Sequence, residues 1–73
     1  MKNVDVNFIN SGGEGYRVIP VEYTGDIQEF IDDVQELQKS ITEFRRIEIS
    51  FYGYDVFTKK EKVILEKYFE ILD

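Results

Sequence analysis

Residues 3–9, "NVDVNFI", alternate strictly: Val4, Val6 and Phe8 fall on one side, Asn3, Asp5 and Asn7 on the other. That period of two predicts a half-buried β-strand. "NSGGEG" follows, small and polar, and then a second β-rich run, "YRVIPVEYT", from Tyr16 to Thr24. The two runs read as a hairpin with a glycine-rich connection. Pro20 sits inside the second run, and proline cannot donate to a sheet ladder, so this strand is expected at an edge or at a bulge.

The period then changes. From Asp26 to Phe44, apolar residues fall at Ile27, Phe30, Ile31, Val34, Leu37, Ile41 and Phe44. These steps of three and four predict one long helix with a continuous apolar stripe. Asp26 stands as N-cap with Glu29 in the reciprocal capping-box position, and Arg45 and Arg46 follow where positive charge suits a helix C-terminus. Alternation returns at residues 46–52, with Ile47, Ile49 and Phe51 on one face and Glu48, Ser50 and Tyr52 on the other. Thr58 and Glu61 form a second capping box, which predicts a helix from Thr58 to about Leu72 with Ile64, Leu65, Tyr68, Phe69, Ile71 and Leu72 on its apolar side.

The order is therefore β-β-α-β-α. A strand–helix–strand crossover returns the third strand in the second strand's direction, so it lies parallel beside the second or antiparallel beside the first. Pro20 favours leaving the second strand at an edge. The expected fold is α+β: one domain over residues 1–73, with a three-stranded antiparallel sheet in the order 2-1-3 and both helices mainly on one face. The other face is expected to carry Asp5, Asn7, Glu48, Ser50 and Tyr52 toward water.

Composition narrows the chemistry. A chain of 73 residues supports one small domain, which buries only about 60% of the surface its unfolded chain exposes. It contains no Cys and no His, so the usual zinc, iron–sulfur and disulfide devices are absent, and so are the commonest general base and nucleophile. Five Tyr and six Phe supply the core instead. The chain starts at Met with no leader-like segment and no apolar run of membrane-spanning length. The expectation is a complete, cytoplasmic, cofactor-free protein without catalytic or metal sites.

Three local features invite a sharper chemistry. "GGEG" suggests a phosphate cradle, but its glycines lead into a strand, no Lys-Ser/Thr follows, and Glu14 would repel phosphate. "DIQEFIDDVQE" is rich in carboxylates but lacks the alternating oxygen ligands of a cation loop, and apolar residues interrupt it. Adjacent Asp32 and Asp33 point about 100° apart on a helix, so they do not form a catalytic pair.

The third is "ISFYGYDVF", Ile49 to Phe57. Tyr52, Gly53, Tyr54 and Phe57 resemble the central-strand motif of RNA-recognition domains. Ser50 stands where that motif has a basic residue, Phe51 where it has its first glycine, and Asp55 where it has an aliphatic. The β-β-α-β-α order is not that fold's. The net charge of −6 also opposes phosphate neutralisation, so direct nucleic-acid binding is not expected. The residue pattern instead places Phe51 and Phe57 in the core, with a turn at Gly53 and with Tyr52 and Tyr54 outward.

The charge is concentrated. Residues 24–44 hold six acidic side chains, Asp26, Glu29, Asp32, Asp33, Glu36 and Glu43, against Lys39 alone, while residues 45–73 balance. A solvated helix face explains such a stripe, and so does a docking surface for a basic partner. The sharper expectation is a small acidic interaction or inhibitor protein, of the kind phage and mobile-element genes encode. Its contact residues would be Glu29, Asp32, Asp33, Glu36, Glu43, Tyr52 and Tyr54. The alternatives are a structural homo-oligomer, joined through sheet edges or through Tyr68 and Phe69, and a weak single-stranded RNA binder using Tyr52 and Tyr54.

Overall fold

A computed structural model describes residues 2–72. Strand β1 (Lys2–Asn10) lies between β2 (Tyr16–Tyr23) and β3 (Ile47–Tyr52), antiparallel to both, in the order β2-β1-β3. Helix α1 (Ile27–Ser40) joins β2 to β3, and α2 (Lys59–Tyr68) follows a short 3-10 turn at Tyr54–Val56. The expected α+β architecture and strand order are thus observed.

The alternation in β1 sets the core. Val4, Val6 and Phe8 are fully buried and meet Val21 of β2, Ile49 and Phe51 of β3, and Phe30, Ile31 and Val34 of α1. Leu65, Phe69 and Phe57 close the same core from the α2 side. Aromatic rings form its centre: Phe30 lies 5.1 Å from Phe57 and 5.8 Å from Phe51, in tilted arrangements that suit ring quadrupoles.

The ladder phase explains Pro20. The N–H of Ile49 donates to Glu70 O and its carbonyl accepts from Leu72 N, each at 2.8 Å, so both groups point away from β1. Alternation then directs Glu48 and Ser50 toward β1, Asn7 and Ile9 toward β3, and Val6 and Phe8 toward β2. Ile19 and Arg17 answer them, Val21 answers Val4, and the backbone of Val18, Pro20 and Glu22 faces the open edge. The N–H that proline lacks falls where no strand needs it.

Both helices stop earlier than their apolar spacing predicts. Asp26 caps α1, its Oδ1 accepting from Gln28 N at 3.0 Å and Glu29 N at 3.4 Å, with no return bond from the Glu29 side chain among the described residues. The helix ends at Ser40, whose hydroxyl donates to Leu37 O at 2.7 Å and competes with the helical ladder. Ile41 is still buried, and Phe44 packs on the core beside Gly15 from a non-helical segment. Arg45 and Arg46 therefore do not flank a helix end. Arg45 N donates to Asn10 Oδ1 at 3.1 Å, and Arg46 forms a two-pronged ion pair with Glu70, at 2.9 and 3.0 Å.

Helix α2 carries the full Thr58–Glu61 capping box and ends at Tyr68. Phe69 is extended (φ −133°, ψ 149°), and residues 70–72 run parallel to β3 through a bridge between Ile49 and Ile71. Phe69 and Ile71 turn inward as alternating residues of an extended segment, not as a helical stripe. The outer edge of β3 is thereby covered at Ile49, whereas that of β2 is not.

Candidate interaction surface

The four carboxylates on α1, Glu29, Asp32, Asp33 and Glu36, are all exposed. At 3.6 residues per turn they span an arc of about 100°, opposite the buried Phe30, Ile31 and Val34. Gln28 Nε2 donates to Asp32 Oδ1 at 3.0 Å, a neutral contact that leaves the charge in place. Among the described residues, none of the four forms an ion pair; the pairs found are Arg17–Glu43 and Arg46–Glu70.

Glu43 does not belong to this stripe. Because α1 ends at Ser40, Glu43 sits in the following segment and pairs with Arg17 of β2. Its charge is answered within the fold.

The two tyrosines also part. Tyr52 is 58% exposed, on the sheet face away from the helices. Tyr54 is turned toward the core: its ring lies 5.6 Å from Phe51 and 6.0 Å from Phe57, Lys62 Nζ sits 4.9 Å from its centroid, and its hydroxyl oxygen is buried. Gly53, in the left-handed region at φ 87°, makes the reversal that sends Tyr54 inward. Tyr52 and Tyr54 therefore do not form an outward pair. Tyr52 and the acidic stripe lie on opposite sides of the molecule, so one flat partner cannot engage both.

The helix-free sheet face is less polar than its β1 and β3 residues imply. The β2 register adds Tyr16, at 70% exposure, and Val18, at 45%, beside Ile9 and Tyr52. These line a shallow groove of about 650 Å³ together with Asn7. Asn7 Oδ1 is buried there without a hydrogen-bond partner among the described residues. Tyr16 and Val18 follow from the alternation once Ile19 and Val21 are placed inward; the signal was the register.

A second groove, of about 460 Å³, runs between the β2 edge and α1. Ile19, Val21 and Leu37 supply its apolar surface and Asp33 and Glu36 its carboxylates, with Pro20 and Glu22 bordering it along the β2 edge. The acidic stripe thus borders an apolar channel on one flank. The chain matches no family model, no curated protein and no solved structure. Among the described residues there is no group of three or more His, Cys, Asp or Glu placed to hold a metal ion, and no helix long and apolar enough to cross a membrane.

Near the groove, Tyr23 at the end of β2 donates its hydroxyl to Glu61 Oε2. That bond, with burial and the Glu61 charge behind it, raises the Tyr23 pKa to about 12. The same bond, helped by the Thr58 N–H, lowers the pKa of Glu61. The Arg46 guanidinium likewise lowers that of Glu70. These groups hold elements together and are absent from the grooves' linings.

Proposed function

We propose that this chain is a small, non-catalytic interaction or inhibitor module that docks a basic protein partner through the acidic face of α1. The observation that carries the reading is the exposed arc of Glu29, Asp32, Asp33 and Glu36, free of ion pairs among the described residues, beside an apolar groove. Like charges left unanswered within a fold are available to an oppositely charged surface, where they speed encounter and select the partner. The apolar flank supplies area that charge alone does not. A cytoplasmic protein of phage or mobile-element origin fits this size and charge. Catalysis is not part of the reading, because His and Cys are absent and the carboxylates stand on a convex helix face.

The test is a triple neutralisation, Glu29→Gln with Asp33→Asn and Glu36→Gln, applied to a partner captured from the native host. Affinity should fall roughly tenfold and its salt dependence should flatten. Unchanged affinity across salt concentrations sinks the reading.

A second reading rests on a different observation, the uncovered sheet face with Tyr16, Val18 and Tyr52 exposed. Two copies meeting there would form a homo-oligomer. Of the two aromatics at the end of α2 expected at such an interface, Phe69 belongs to the core and Tyr68 is exposed. Sedimentation at micromolar concentration decides: a strict monomer removes this alternative.

A further inference from the structure

We infer that the open edge of β2 and the groove beside it receive an extended, basic segment of the partner as a fourth strand. This rests on the acidic-face reading and specifies how the partner binds. The ladder phase leaves the N–H groups of Val18 and Glu22 and the carbonyls of Val18, Pro20 and Glu22 facing outward, and among the described residues no backbone group answers them. The opposite sheet edge is closed at Ile49 by residues 70–72. Strand addition is therefore directed to β2.

An added strand would lie about 4.8 Å from β2, with successive side chains on alternate faces. Those on the helix side enter the channel over Ile19, Val21 and Leu37, beneath Asp33 and Glu36. Lys or Arg fits these positions: the aliphatic stem covers Leu37 and the charged head reaches the carboxylates. Those on the other side meet Val18 and suit β-branched residues. A second copy of this chain fits poorly, because it would bring Glu22, Asp33 and Glu36 against their like and set one Pro20 edge against another.

The probe is a short peptide of alternating lysine and valine, titrated into the full-length ¹⁵N-labelled chain. Bound peptide should slow amide exchange at Val18 and Glu22 roughly fivefold or more, as a single net hydrogen bond predicts. Two further peptides are N-methylated on one residue series each. Methylating the valines removes the donors facing β2 in antiparallel addition, and methylating the lysines removes them in parallel addition. One series should abolish binding and the other leave it. The protein is unaltered in this comparison, so misfolding cannot produce the loss. No binding at millimolar peptide, equal binding of both methylated peptides, or unprotected Val18 and Glu22 overturns strand addition. If peptide shifts then map to Glu29, Asp32 and Asp33 alone, strand addition falls while the acidic-face reading stands. That reading falls separately, on an undiminished affinity of the triple variant for its partner.

Discussion

The Tyr23 hydroxyl donates to Glu61 Oε2 across 38 residues of chain, while Oε1 of the same carboxylate accepts the Thr58 N–H at 2.8 Å. One side chain therefore completes the cap of α2 and ties that cap to the end of β2. A local helix-start signal becomes a tertiary contact.

Removing the hydroxyl should cost the tie between β2 and α2 while leaving the Thr58 cap bond in place. Tyr23→Phe is expected to lower the unfolding free energy by about 1–2 kcal/mol, because the acceptor is charged and half-buried. Glu61→Gln should cost a similar amount, and the double variant less than the sum of the two. Urea denaturation of the four proteins forms the cycle; strict additivity would show the contact to be energetically silent.

The same pair shapes stability against pH. Glu61 has a lowered folded pKa, so its contribution is complete above the unfolded carboxylate value and is lost as pH falls through the folded one. Tyr23 has a raised folded pKa, so its contribution is complete below its ordinary value of 10.0 and is lost as pH rises toward about 12. Wild type should show a plateau between these limits, and Tyr23→Phe should lose the alkaline decline that belongs to this pair. Denaturation midpoints measured from acid to pH 11 check both limbs.

Adjacent aromatics at the end of α2 should respond very differently. Phe69 is 6% exposed and Tyr68 is 48% exposed. Phe69→Ala is expected to cost about 3–5 kcal/mol, by loss of burial and creation of a cavity. Tyr68→Ala should change stability by about 0.5 kcal/mol or less. Thermal unfolding of the two variants distinguishes this from an apolar helix face that buries both residues, as the sequence spacing predicts.

Neutralising Glu43 should have little effect on a basic partner. Its charge is already answered by Arg17, away from the helix stripe. Glu43→Gln is expected to change partner affinity by about twofold or less, whereas Glu36→Gln should weaken it by about three- to fivefold. Titration of both variants against one partner makes the comparison, and a larger effect at Glu43 would relocate the contact.

Local patterns carried the interior of every element. Val4, Val6 and Phe8 could share a face only in a strand, and Ile27 to Leu37 only in a helix, because side-chain direction repeats with period two or 3.6. Pro20 reached further: a missing donor restricts a strand to an edge, and with the crossover rule that selected β2-β1-β3. Thr58 and Glu61 marked the start of α2 for an equally local reason.

What the sequence by itself determined was which side chains share a face, where α2 begins and how the strands are ordered. The tertiary structure decided where the elements end and which faces are covered. Ile41 and Phe44 continue a helical spacing, yet packing beside Gly15 takes Phe44 from an irregular segment; Phe69 and Ile71, two residues apart, share a face only in an extended segment, and the bridge to Ile49 holds them in one. Tyr54 turned inward, Glu43 found Arg17, and Tyr16 and Val18 came to the open face only when β2 docked in register. Spacing acts within an element through bond geometry, whereas burial and charge pairing depend on distances between elements, which arise only once the chain has packed.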